Sequence, residues 1–495
     1  MKKLFLLPFI FLPLIGCSSV KGEISVENSA EPGVLSFAKE EILSVAGKHN
    51  YKEGKNGYKV VFGGIDESLG DEGYKIVVEN KNITIKGGDD NGLLYGALDV
   101  ADYIKAHHSL DGINAKELKS SRIKERMLKI NAPLDMRCPS YTDTGANAQE
   151  QIKDMWDISF WKSYFDSAAR NRFNAVNLWS LNPFPVMTKV KGYEDCALDD
   201  VWKTTIPFDS SYLGNCSNAV RDEHWSNYEV IKKMTIDEKI QHWNTVIDLA
   251  HDRGIKFYIS SWNVYTFGEH GKYGIDSSLN NPVTKDYYKK SVASLLNTYP
   301  KLDGMGICTG ENMSCKDVVL GDLEESVFKE QWLYDTYGTS INEYLMANPR
   351  DFKVIHRMHF TDYNSMKDIW KGLACTMDIS TKYSSDHVFV NGKHQFADET
   401  LKAIPEEQKT LLEFRNNDFY NLRWGDYSFV KSYYDNMAYT EKISGVVLGS
   451  DGYVDGREYF YQDSELNGTL SLDKHFIYYS LMGKLAYDAS YDESH

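Results

Sequence analysis

Three carboxylates stand where the chain could do chemistry. Glu311 ends the run GMGICTGEN, a strand-like stretch of small and apolar residues that stops at an acid. Asp418 lies in RNNDFY and Asp386 in STKYSSDH, each just after another short apolar run. Two carboxyl groups flanking one bond are what glycoside hydrolysis requires. One, kept protonated, delivers a proton to the leaving oxygen, and the other activates water or attacks directly. Glu311 is the candidate acid and Asp418 the candidate base or nucleophile. Asp386, Asp451 and Glu458 are rivals for the second role.

Polar and aromatic residues that could hold a sugar follow the same apolar runs. They are Asn131 and Arg137; Trp179; Trp262 and Asn263; Arg357 and His359; Lys382 and Tyr383; Arg415, Asn417 and Arg423; and Asp451, Tyr453, Arg457 and Glu458. Fork-like donors beside aromatic rings suit a polyhydroxylated ligand. The cations among them also suit a carboxylate-bearing sugar. His356 and His359 are three apart and point to opposite faces of a strand, so they are not expected to share a metal.

The elements that must position these groups recur along the chain. Apolar runs at 127–132, 175–178, 255–259, 302–307, 352–355, 377–379, 410–414 and 443–448 each precede such a cluster. Helical stretches separate them, clearest at 160–171 and 235–253. The latter ends on Gly254, a glycine stop before a strand. Eight strand–helix repeats predict a (β/α)8 TIM barrel over 121–490, with chemistry at the C-terminal ends of its strands. Ahead of it, alternating segments at 58–62, 74–78 and 83–86 and a helical pattern over 92–108 predict a small α/β domain over 23–120.

The first residues predict export. A basic Met-Lys-Lys start, an apolar stretch from Leu4 to Ile15 and the sequence LIGC ending at Cys17 have the form of a lipoprotein signal, residues 1–17, with Cys17 as the lipidated residue. The expected location is the bacterial cell envelope, anchored by lipid. The formal charge of −16, from 55 basic and 71 acidic residues, argues against nucleic acid as partner. The remaining six cysteines show no CxxC, so no structural zinc site is expected, and their pairing cannot be deduced from spacing. GxSxG is absent, no dinucleotide or phosphate-loop glycine pattern is present, and no cofactor is expected.

Three segments carry a family resemblance. GLLYGALDVADYI (92–104) resembles the end of the small domain before the barrel in α-glucuronidases of glycoside hydrolase family 67 and in several hexosaminidases. LLEFRNNDFY (411–420) is similar to the seventh-strand segment of the glucuronidases, and LMGKLAYDAS (481–490) to the segment that closes their barrel. The resemblance implies Glu311 as acid, Asp418 on a catalytic carboxylate, Asp386 as a further one, and an exo-acting hydrolase that removes a terminal uronic acid from an oligosaccharide. It also implies a homodimer. The sequence departs from the family in carrying Asp rather than Glu at 418 and in the stretch STKYSSDH, and it ends at His495 where the family continues into a helical domain. Two alternatives stay open. One is another exo-glycosidase such as an N-acetylhexosaminidase, for which an Asp-Glu pair is expected where Gly310-Glu311 stands. The other is a surface lipoprotein that binds glycans without cleaving them.

Overall fold

The computed structural model describes residues 20–27, 33–140, 146–207, 222–262, 264–269, 271–310, 312–382, 395–415 and 424–492. The chain divides into two compact units, Leu35–Lys119 with the first strand in one and Ser120–Ser494 in the other.

The first unit is built on a six-stranded sheet. Its strands are β1 (Gly22–Glu27), β2 (Tyr51–Glu53), β3 (Tyr58–Ile65), β4 (Tyr74–Glu79), β5 (Asn82–Gly87) and β6 (Lys116–Leu118), in the order β2-β1-β3-β5-β4-β6. Two helices accompany them, α1 (Val34–Lys48) and α2 (Asp90–His107). The sequence reading anticipated β3, β4, β5 and α2. It missed β2 and β6, which have three residues each and too little alternation to register. It also missed β1 and the amphipathic α1. The glycines of the GLLYG motif have a packing reason. A Cβ at Gly92 would stand 2.1 Å from the Gly73 carbonyl oxygen, so α2 lies closer to the sheet than any other residue allows. Asp89 starts α2 by accepting a hydrogen bond from Gly92 N at 2.7 Å.

The second unit is a closed parallel barrel. Its strands are β7 (Glu125–Asn131), β8 (Ala175–Ser180), β11 (Lys256–Ser261), β12 (Gly304–Cys308), β13 (Lys353–Arg357), β14 (Thr376–Lys382), β15 (Thr410–Arg415) and β16 (Ile443–Gly449). A hairpin of β9 (Val201–Thr204) and β10 (Tyr228–Lys232) follows β8, and a short one of β17 (Arg457–Glu458) and β18 (Thr469–Leu470) follows β16. All eight predicted strands are the barrel strands. Strands covered by helices outside and packed inside are largely apolar, which is why they read as short apolar runs, with charges confined to the two ends of the interior. The two clearest predicted helices are also present, at Ile158–Arg170 and Ile236–His251. The second opens with a capping box in which Thr235 and Glu238 each bond the other's backbone.

Alternation along each strand stacks the interior in layers. Glu125, Lys353 and Asp378 meet at the N-terminal end, with Lys353 Nζ 2.9 Å from Glu125 and 2.8 Å from Asp378. Met127, Ala175, Tyr258, Ile355, Leu411 and Val447 form the apolar middle. The glycines of GMGIC face this interior. A Cβ at Gly304 would come within 2.7 Å of the Tyr258 ring and 2.1 Å of the Lys353 carbonyl, and one at Gly306 within 1.7 Å of Ser260 Oγ. The bulk missing before Glu311 is therefore supplied by β11. Gly304→Ala is expected to cost roughly 1–3 kcal/mol by overpacking, read as a lowered thermal midpoint.

Among the described residues Cys138, Cys196, Cys308, Cys315 and Cys375 are free thiols. No helix among them is long and apolar enough to cross a membrane.

Candidate active site

The inward positions at the C-terminal end of the barrel carry charge. From β7 come Lys129 and Asn131, from β13 Arg357, from β14 Lys382 and from β15 Glu413, while Asp451 follows β16 by two residues. Lys129 Nζ lies 2.5 Å from Asp451 Oδ1 and 3.7 Å from Glu413 Oε1. Arg357 bridges the same two acids, with NH1 on Glu413 and NH2 3.7 Å from Asp451 Oδ2. Lys382 Nζ approaches Asp451 at 3.5 Å. Three cations thus converge on two carboxylates. Burial pulls the Lys129 ammonium below the usual lysine range, the Asp451 charge opposes this, and Arg357 adds to it.

An aromatic floor lies against this cluster. Lys129 Nζ sits 4.5 Å from the Trp179 ring centroid and the Arg357 guanidinium 5.4 Å from it. Trp179 meets Trp262 at 5.4 Å between centroids, and Trp262 meets His359 at 5.4 Å. Leu181, Tyr265 and Cys308 complete the packing around the two tryptophans.

The structure brings Trp179, Trp262, Arg357, His359, Lys382 and Asp451 together. The other described candidates are engaged within the fold. Asn131, expected to touch substrate, stands among the inward residues of the mouth. Its Nδ2 donates to the carbonyls of Ser450 (2.7 Å) and Tyr453 (3.1 Å), which fixes the loop that carries Asp451, and its Oδ1 has no hydrogen-bond partner among the described residues. Tyr453 is buried and its hydroxyl faces Asp455. Arg137, expected as a rim donor, makes a two-point pair with Asp135 at 2.7 and 2.8 Å and donates to the carbonyls of Asp199 and Asp200. Its guanidinium also lies 3.8 Å from the Trp202 ring centroid, so it anchors the β9 segment. Arg457 donates to the Gly468 carbonyl at 2.5 Å within the β17–β18 hairpin, and Glu458 accepts from Lys474 Nζ at 2.5 Å. His356 lies on the outward face, bonded to the buried Glu330 at 2.8 Å. Glu311, Asp418, Asp386, Asn263, Tyr383, Asn417, Arg423, the side chain of Arg415 and the lipidation candidate Cys17 lie outside the described residues. Among the described residues no three His, Cys, Asp or Glu side chains could hold a metal ion.

Lys129, Glu413 and Glu269 were missed in the sequence. The first two interrupt apolar runs, and the signal was their register: Glu125, Met127, Lys129 and Asn131 share one face of β7, and Leu411 and Glu413 one face of β15. Glu269 lies in the loop after β11 and is fully buried. Its Oε1 accepts from Tyr287 OH at 2.6 Å and Asn182 Nδ2 at 2.7 Å, while Oε2 has no hydrogen-bond partner. Burial raises its carboxyl from 4.5 to about 7, against those two hydrogen bonds. The folded state therefore holds a proton that the unfolded chain releases, and stability falls as pH rises from about 4.5 to about 7. Glu269→Gln is expected to remove roughly 3 kcal/mol of that fall, measured as the difference between wild-type and variant denaturant midpoints across the window.

Comparison with known proteins agrees with the architecture. Residues 18–123 match the model of glycosyl hydrolase family 20, domain 2. A search of curated proteins found no match. Among solved structures, a GH138 enzyme targeting pectin rhamnogalacturonan II superposes with a TM-score of 0.68 at 17% identity, over 95% of this chain and 51% of that one. The present chain thus spans about half the length of that enzyme. A GH20 exo-β-N-acetylglucosaminidase from Vibrio harveyi gives 0.56 at 10% identity, over 95% and 71%. A β-N-acetylhexosaminidase from Bacteroides fragilis gives 0.53 at 13% identity, over 94% and 86%. The fold is that of the barrel glycoside hydrolases, preceded by a domain of the family 20 type. The segment GLLYGALDVADYI lies within the family 20 match.

Proposed function

We infer that the protein is an exo-acting glycoside hydrolase that removes a terminal uronic acid from an oligosaccharide. The observation that carries this reading is the gathering of Lys129, Arg357 and Lys382 with Glu413 and Asp451 beside the Trp179–Trp262 pair. Cations so placed, Arg357 above all, suit a sugar carboxylate. The GH138 neighbour is described as targeting pectin rhamnogalacturonan II. Glu311, beyond the end of β12, is the proton donor, and Asp418, beyond β15, the base or nucleophile, with Asp386 as the competing assignment. Oligosaccharide is the partner, Cys17 the lipid anchor to the bacterial cell envelope and a homodimer the assembly.

The family 20 domain match and two acetylhexosaminidase neighbours favour a second reading, an N-acetylhexosaminidase. That chemistry uses the substrate's acetamide as nucleophile and wants an acid directly before the proton donor. Gly310 occupies that position, which places this reading second.

Calorimetry with single sugars tests the charge argument. A uronic acid is expected to bind about tenfold more tightly than its neutral counterpart, and the advantage is expected to shrink with added salt and in Lys382→Met. Equal affinity for the two sugars would count against a uronic acid substrate.

A further inference from the structure

Phe360 stands where an aromatic residue is under strain. Its φ is +54°, in the left-handed region where a Cβ crowds the neighbouring carbonyl. The residue is 58% exposed, so burial does not compensate. The segment is nonetheless held at the barrel mouth from two sides. Met358 N donates to the Ser380 carbonyl of β14 at 3.1 Å, and Thr309 Oγ1, just after β12, donates to the His359 carbonyl. The Phe360 ring meets the His359 ring at 4.2 Å between centroids. His359 meets Trp262, and Trp262 meets Trp179, each at 5.4 Å. Four rings therefore run without a break from Trp179, buried beside Lys129 and Arg357, to Phe360 in solvent. Tyr273 is also exposed with a positive φ, but its hydroxyl donates to Asp195 at 3.3 Å. Phe360 has no side-chain polar atom, and beside His359 its ring meets only Lys329 Nζ among the described residues, 6.0 Å from its centroid. Backbone strain held in place by its surroundings clusters at ligand clamps.

We propose that Phe360 is a specificity-determining residue, the stacking platform for the sugar ring next to the terminal one, on the leaving-group side of the scissile bond. The proposal rests on the reading of the mouth as a sugar site. It adds that the protein prefers an oligosaccharide to a lone sugar. The terminal ring lies at the charged mouth beside Arg357 and Lys382, and the next ring offers its apolar C–H face to Phe360 at the rim.

The test is Phe360→Asn, which removes the ring but keeps a residue that tolerates the left-handed backbone. Calorimetry with a uronic-acid-capped trisaccharide and with the free uronic acid compares the variant with wild type. The trisaccharide Kd is expected to rise about tenfold and the monosaccharide Kd to stay unchanged. An unchanged trisaccharide Kd, an equal loss for both sugars, or a wild-type protein that binds no capped trisaccharide would overturn the proposal. Phe360-dependent trisaccharide binding without any cleavage would leave the platform standing and remove only the hydrolase reading. Cleavage with no difference in Phe360→Asn would do the reverse.

Discussion

Glu413→Ala is expected to destabilise the barrel unit by roughly 3–5 kcal/mol, because it removes one acid from a buried cluster and leaves its cations behind. Arg357 loses its closest carboxylate and Lys129 one of two, and both side chains are almost wholly buried. Neither can reach water without opening the mouth. The measurement is a urea midpoint that falls at unchanged m. An exposed pair supplies the control. Lys301 and Asp248 lie 2.7 Å apart with both side chains more than half exposed, and Asp248→Ala is expected to cost less than about 1 kcal/mol. Similar costs at the two sites would mean that the mouth cluster is wet and loosely held, and would remove it as the basis for sugar recognition.

The second large effect is on turnover. Glu311→Gln keeps the shape of the side chain and removes the transferable proton. A positioned acid is worth about 10²–10⁴-fold in rate, and turnover is expected to fall by that factor while oligosaccharide affinity changes little. Asp418→Asn is expected to produce a loss of the same order if Asp418 is the base or nucleophile. Asp386→Asn producing the larger loss would reassign that role. Retained turnover in Glu311→Gln would move the proton donor elsewhere on the rim.

How much of this was legible in the chain depended on what each residue does there. The barrel strands were readable because an element covered on both faces writes a short, mostly apolar run. Trp179, Trp262, Arg357, Lys382 and Asp451 were readable because they stand at or just beyond the ends of those runs. Lys129 and Glu413 lie inside the runs, where a charge looks like an exception to a buried strand, and only the shared inward register reveals that they meet, from strands separated by β16 alone. Arg137 misled for the opposite reason. Its type and place suit a ligand, but the neighbour Asp135 and the β9 segment, close only in the fold, already engage it. The glycines before Glu311 likewise take their meaning from Tyr258 and Ser260, some 45 residues earlier. Glu269 left no pattern at all, since a loop carboxylate is ordinarily solvated, and its burial follows from how Tyr287 and Asn182 close over it.

The most direct test of the central claim is sugar release from a panel of oligosaccharides capped with uronic acids, neutral sugars or N-acetylated sugars, each incubated with the wild-type protein. The account predicts a free uronic acid as the product, with intact neutral and acetamido caps. Release of an acetamido or neutral sugar, with uronic-acid caps untouched, would contradict it.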